Sequence, residues 1–345
     1  MRAFVITGPG AAEVRDLPRP EPGAGEVVVD VERAGVCGTD VEFYTGEMAY
    51  LHTDQAAYPI RIGHEWAGTV ASVGAGVDPS WIGRRVTGDT QLGCGACERC
   101  SSGRQHLCVE RYEIGVRNGW PGALAEQLPV PVRALVTLPA SVGPSAGAMV
   151  EPGGNALRAV WGAGLEAGER LLVLGPGTIG LLVAQIATAM GIEVHLVGRG
   201  ERSRTFARAL GFENTWMRDT MPNLRWDAVV DASNSAGLPA LAMDLVEPGR
   251  RVVYIGLAGQ PSLIDTRTMA LKDVTAVGVL SASGGLEGIA GLYASGAVDP
   301  LPLIAATVSL DEVAGVLAGS RQQGWGDAPK IHVDPRAASS PGAAR

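Results

Sequence analysis

The sequence predicts an α/β protein in two parts, a β-rich barrel or sandwich and a doubly wound parallel sheet. Three observations carry that expectation. Short strand-like runs parted by Gly/Pro punctuation fill residues 1 to about 90; from residue 169 strands alternate with apolar helices; and a cysteine-rich loop interrupts the first pattern. At 345 residues the chain is long enough for two domains, each with its own core.

In the first part the strand candidates are residues 3–6, 26–32, 65–73 and 84–87, separated by turns such as Pro18-Arg19-Pro20-Glu21-Pro22-Gly23 and Gly74-Ala75-Gly76. Short strands at this spacing favour antiparallel pairing. The cysteine loop occupies residues 92–108, strand-like segments return over 123–138, and 151–163 can form a helix. At residue 169 the texture changes: a strand over 169–174 runs into Gly175-Pro176-Gly177-Thr178-Ile179-Gly180 and an apolar helix over 181–190. Strand 193–197, helix 202–210, strand 228–231, a helix near 239–246 and strand 251–255 follow. Alternation of this kind makes βαβ units on a parallel sheet. A last strand, 330–333, returns to the first part, and the residues from Pro335 read as a mobile tail.

Composition narrows the function. With 46% hydrophobic and 19% charged residues the chain is a soluble globular type. Its net charge of -8, without a basic cluster, argues against nucleic acid as a partner. No apolar run is long enough to span a membrane, and the N-terminus reads as a strand instead of a signal peptide. A cytoplasmic location is expected, where the five cysteines serve as metal ligands or free thiols before disulfides.

Cys94, Cys97, Cys100 and Cys108 follow a C-x2-C-x2-C-x7-C spacing that folds a short loop around four inward thiolates. A tetrahedral zinc with every position filled by protein is the usual occupant, which makes the site structural. An iron–sulfur cluster is the rival occupant.

A second, open metal site is suggested by Cys37 and His64. Cys37 stands in Gly35-Val36-Cys37-Gly38-Thr39-Asp40, after a strand and before residues that can open a helix, where the helix dipole favours thiolate. With a carboxylate, Cys37 and His64 make a three-ligand set that leaves one position free, as in catalytic zinc sites. Glu65 and Glu151 compete for the third place, and Asp40 can accept the free ring N–H of His64.

Gly175-Pro176-Gly177-Thr178-Ile179-Gly180 fits G-x-G-x-x-G between a strand and a helix, the context of a dinucleotide site. The helix N-terminus then faces the pyrophosphate. At the end of the next strand, where an NAD site places a carboxylate for the ribose, the chain has Gly198-Arg199-Gly200-Glu201-Arg202-Ser203-Arg204. Arg199 and Arg204 would meet an added phosphate, so NADP is favoured over NAD; Glu201 reaching the ribose is the competing arrangement.

Taken together, Gly35–Asp40, Gly63-His64-Glu65-Trp66-Ala67-Gly68, the cysteine loop, Glu151-Pro152 and Gly175–Gly180 resemble the zinc-dependent medium-chain dehydrogenase/reductase (alcohol dehydrogenase) family, in the family's order. The resemblance implies a GroES-like catalytic domain over 1–154 and 294–345, and a Rossmann domain over 155–293 with a cleft beside it. It further implies two zinc ions per chain, one catalytic and one structural, and reversible oxidation of an alcohol with NAD(P), usually in homodimers or homotetramers. The branches most similar in motif are the sorbitol, threonine and glucose dehydrogenases, which carry Glu-Pro where simple alcohol dehydrogenases put a third zinc-binding Cys; Glu151 holds that position. Thr39 would pass a proton outward. Glu42 stands where many members have a relay His, and His52 is another candidate for the outer end. Gly153-Gly154-Asn155 replaces bulkier residues and either opens the pocket beside the nicotinamide or serves as a helix-start turn. The small-molecule substrate implied is a secondary alcohol or ketone of a sugar, polyol or cyclitol, with a threonine-type or simple secondary alcohol as the alternative. Phe4, Tyr44, Trp66 and Trp120 are candidates to line the cleft, with core packing as their other fate. A nonenzymatic NADP-binding protein or zinc-stabilised interaction module is the competing class, but such a module has no use for an open metal position.

Overall fold

The structure, a computed structural model, describes residues 1–338. The chain folds as two compact units. The first comprises Met1–Glu151, Ile304–Gly326 and the residues from Lys330; the second comprises Pro152–Leu303 and Asp327–Pro329. The return to the first unit comes at Ile304, later than the expected residue 294, because 294 closes the helix Leu286–Ala294, whose buried face packs within the second unit.

The first unit is organised by the 11-residue strand Glu26–Val36, which pairs antiparallel with Glu65–Val73, Gln127–Pro131 and the last strand, Lys330–Val333. Strands Arg85–Gly88 and Leu135–Thr137 extend the sheet on one side and Ile304–Val308 on the other. Val27, Val29 and Val31 pack with Phe4, Ile6, Trp66, Val86 and Leu128 in one core cluster. Phe4 and Trp66, candidates for a cleft wall, are therefore core residues. Each such side chain contributes roughly 1.5–3 kcal/mol on full burial, so cohesion here does not depend on metal ligands. A hairpin, Arg2–Gly8 with Ala11–Asp16, adds a strand absent from the sequence reading. Its second arm is partly exposed and offers only the alternating pair Ala12 and Val14 to the core, too short a pattern for periodicity to detect.

The expected tail starts too early. Pro335 is buried and Arg336 pairs with Asp30 at 2.7 Å, so the chain stays docked past the last strand. Residues 339–345 lie outside the described residues.

The second unit is a six-stranded parallel sheet in the order Thr215–Trp216, Glu193–Val197, Arg170–Leu174, Trp226–Asp231, Val246–Tyr254, Thr275–Gly278. Numbered along the chain that order is 3-2-1-4-5-6, the dinucleotide-binding arrangement, with its switch point between the first and fourth strands. Leu171 to Leu174 are wholly buried, as strands covered on both faces require. Gly153 and Gly154, read as opening a pocket or as a helix-start turn, serve packing. A Cβ on Gly153 would lie 2.2 Å from the Tyr293 hydroxyl, and one on Gly154 3.0 Å from the Ala282 Cβ. Their missing side chains let the helix Val150–Ala163 approach the segment from Ala282 into Leu286–Ala294. Among the described residues no helix is long and apolar enough to cross a membrane.

Candidate active site

Cys37 is the N-cap residue of the helix Gly38–Thr45. Its backbone N–H donates to Asp40 Oδ2 at 2.8 Å, so the fully buried Asp40 fixes the turn that presents the thiol. His64 ends the segment that leads into Glu65–Val73, and the Thr90 hydroxyl donates to its carbonyl at 3.3 Å. Asp40 Oδ1 and His64 Nδ1 stand 3.8 Å apart, and neither has another partner. The expected hydrogen bond between them is thus not formed, because the other Asp40 oxygen is committed to the helix cap.

Glu65 is buried and turns toward the same point: one ligand atom each from Cys37, His64 and Glu65 lie within 4.8 Å of one another. Lys330, from the last strand, donates to both Glu65 oxygens at 2.7 Å and to the Val36 carbonyl at 3.0 Å. This buried lysine is the part of the site that sequence reasoning missed; its only signal was a charge in the wholly buried strand Lys330–Val333. Gly35 makes the arrangement possible, since a Cβ there would fall 2.0 Å from Glu65 Oε2. Glu151 is also buried and acts electrostatically on His64, outside the three-residue cluster.

The donor set suits a dication. Cys37, Asp40, Glu65 and Glu151 are potential anions converging on a buried region where Lys330 is the partner cation, and such a surplus is what a divalent metal neutralises. The proton affinities carry the same mark. Burial by itself would lower the His64 pKa, yet its hydrogen bond with Cys37 and the charges of Asp40, Cys37 and Glu151 raise it well above the ordinary value. For Glu65, burial opposes ionisation, but Lys330 outweighs it and lowers the pKa. Thr39 and Glu42 lie on the same helix as the Cys37 cap. Glu42 is half-buried and its pKa is raised, first by that burial and then by Glu47. His52 Nε2 sits 3.0 Å from the Gly46 carbonyl in an exposed turn, outside the buried cluster.

Cys94, Cys97, Cys100 and Cys108 bring one sulfur each within 4.8 Å of the others, with Cys94–Cys100 at 3.9 Å and Cys97–Cys108 at 3.8 Å. A tetrahedron of thiolates with ~2.3 Å arms has edges of ~3.8 Å, so the loop is already shaped for zinc. Backbone N–H groups of Ala96 and Cys97 lower the Cys94 thiol to about 6.

In the second unit Gly175, with φ at 99°, turns the chain out of Arg170–Leu174, and Gly177 caps the helix Thr178–Ala189 without a side chain over its N–H groups. That helix starts ahead of the expected 181, so Thr178, Ile179 and Gly180 form its first turn. A Cβ on Gly180 would lie 1.9 Å from the Gly175 carbonyl, so only glycine permits this approach. Gly198 ends the second strand against Pro176. Arg204, read as a phosphate partner, is otherwise engaged. Its buried guanidinium donates to the Gly198 carbonyl at 3.0 Å, the Arg199 carbonyl at 3.1 Å and the Glu201 carboxylate. Through these contacts it closes the turn. The same contact engages Glu201, while Arg199 is exposed.

Comparison with known proteins agrees with this geometry. Residues 23–140 match the alcohol dehydrogenase GroES-like domain and residues 178–291 match the zinc-binding dehydrogenase domain. An L-threonine 3-dehydrogenase of Saccharopolyspora erythraea is 33% identical over 81% of this chain and 83% of its own. A 2-dehydro-3-deoxy-L-galactonate 5-dehydrogenase of Pseudoalteromonas atlantica is 32% identical over 86% of this chain and 88% of its own. A solved zinc-binding dehydrogenase of Sinorhizobium meliloti 1021, bound to NADP, superposes with a TM-score of 0.86 at 29% identity, covering 97% of this chain and 99% of the other. The chain therefore belongs to the zinc-dependent medium-chain dehydrogenase/reductase family and is an NAD(P)-linked alcohol dehydrogenase.

Proposed function

We propose that the chain interconverts a secondary alcohol and ketone on a sugar, polyol or cyclitol, with NADP preferred to NAD, using Cys37, His64 and Glu65 to hold a catalytic zinc. The observation that carries this reading is the convergence of those three ligand atoms within 4.8 Å inside a buried, acid-rich region. Glu151 is then the carboxylate facing the open position, consistent with its pull on His64. The cysteine loop holds a second, structural zinc.

When bound, the catalytic zinc supplies Lewis-acid polarisation of the substrate oxygen. The chain's own residues do the rest. Cys37 and His64 fix the centre, Asp40 fixes the helix that carries Cys37, and Lys330 holds the Glu65 carboxylate ionised and in place. Thr39 takes the substrate proton outward. Glu42, its pKa raised by burial, is the receiving base in place of a histidine. The helix start at Thr178, with no side-chain cap, would hold the pyrophosphate of a nicotinamide cofactor, which when bound would supply the hydride acceptor.

Arg199, exposed, is the residue of the expected pair favoured to meet the extra phosphate of NADP, since Arg204 already donates to the Gly198 and Arg199 carbonyls and to Glu201. Assembly as a homodimer or homotetramer is supported by the edge strand Thr275–Gly278, largely exposed, with exposed Leu257, Leu263, Leu271 and Leu280 in the same unit. The protein acts in the cytoplasm. A threonine-type substrate is the second reading, favoured by the S. erythraea relative.

The test is a panel of polyols, sugars, sugar acids and threonine, read by nicotinamide absorbance with each cofactor. A polyol or sugar turned over with higher kcat/KM than threonine, and NADP above NAD, is expected; Arg199→Ala should cut the NADP preference about tenfold, one charge-assisted contact. Preference for threonine or for NAD overturns the corresponding part.

A further inference from the structure

From the turn after the strand Arg85–Gly88 into the strand Gln91–Leu92 run three consecutive polar residues, Asp89, Thr90 and Gln91, each only 5–6% exposed. A turn that merely reversed the chain would leave such groups in water, because burying them unbonded is costly. Their bonds run in two directions. Toward the open site, the Thr90 hydroxyl donates to the His64 carbonyl at 3.3 Å, and the Thr87 hydroxyl to the Trp66 carbonyl at 2.6 Å. Toward the cysteine loop, Asp89 Oδ2 accepts the Gln105 amide at 2.7 Å while its other oxygen takes the Gln91 N–H at 2.9 Å. Gln105 in turn accepts the backbone N–H of Cys108, the fourth thiol, at 3.0 Å. The turn is pinned from both sides, with Asp89 N–H donating to Ala134 and the Ile114 N–H donating to Thr90.

We infer that Gln105, Asp89 and Thr90 form a strut through which the cysteine loop positions His64, coupling the two metal centres. The inference rests on the reading that both centres hold zinc. The Thr90–His64 bond is buried, the Gln105–Asp89 bond is part-buried, and Asp89 and Thr90 are neighbours in the chain, so displacement at Cys108 is carried to the His64 backbone. None of the three side chains belongs to either metal-ligand cluster; they are positioning residues. Emptying the loop, by chelation or thiol oxidation, therefore loosens the open site without touching its ligands.

A double-mutant cycle tests the strut on the loaded enzyme with Thr90→Val, Gln105→Leu and the pair. The readouts are the rate at which dipicolinate removes zinc from the open site, the visible band of cobalt placed there, and kcat against KM. Each single variant is expected to speed metal release about three- to tenfold, the worth of one buried hydrogen bond, and to perturb the cobalt band. The pair should do no more than either alone. Effects that multiply, or Gln105→Leu leaving release and spectrum unchanged, overturn the strut. If Gln105→Leu empties the loop, the criterion stands: its effect on the open site must vanish in the Thr90→Val background. If it fails to fold, Asp89→Asn replaces it, setting amide against amide at the same size. Zinc content of the unsubstituted chain is measured first; absence of an open-site metal would overturn the underlying reading, and additivity with both metals present would overturn the strut alone.

Discussion

The first unit carries two candidate metal centres built on opposite plans. The cysteine loop draws all its ligands from Cys94 to Cys108, carries an exposed thiol at Cys94, and owes its shape to local turns. The open site joins Cys37, His64 and Glu65 to Glu151 and to a lysine 265 residues beyond Glu65, and buries nearly all of them. A centre made by the chain's local path can form wherever the loop closes. A centre made by the fold exists only when the sheet has formed, and its residues must be neutralised as well as aligned.

The sharpest way to break the comparison is Cys37→Ala. Turnover should fall to background and zinc content should drop from two per chain to one, with the thermal midpoint little changed because the valine-rich core does not use the thiol. Retained activity, or loss of the loop metal as well, would erase the distinction between the centres. Next in size is Lys330→Met, which strands a buried carboxylate. A loss of about 3–5 kcal/mol in denaturant unfolding is expected, most of it recovered by Lys330→Met with Glu65→Gln; a single variant as stable as the parent would show that Glu65 is not held by charge.

The smallest effect concerns His332, wholly buried beside that pair with neither ring nitrogen bonded. Burial, reinforced by Lys330, pushes its pKa down to about 3. Between that value and the ordinary 6.5 the unfolded chain binds the extra proton, so this residue's contribution is complete above pH 6.5 and declines as pH falls, by at most about 1.4 kcal/mol per unit. His332→Phe should flatten the loss of stability between pH 7 and pH 5; an unchanged slope would place the acid sensitivity elsewhere.

The same contrast decides what could be read from the sequence. The cysteine spacing, the glycine loop, Cys37 and His64 were legible because each is a local pattern in which residue type and interval state the chemistry. The parallel sheet was legible for the same reason, through apolar runs such as Leu171 to Leu174. Lys330 was not, since its meaning depends on a partner brought alongside by strand pairing. For Arg204 the sequence records a charge but not the Gly198 and Arg199 carbonyls to which it donates. Gly153 and Gly154 stayed ambiguous because a missing side chain can equally admit a ligand or a neighbouring helix, and only the packing tells which.

Lys330 also sets an order of events. During synthesis Glu65 leaves the ribosome long before the ammonium that compensates it, with the whole inserted unit made in between. At ~5–20 residues per second the wait is roughly 13–50 s. Over that interval Glu65 has no Lys330 to pair with, and the nucleotide-binding unit is translated in full before the last strand of the first unit's sheet is available.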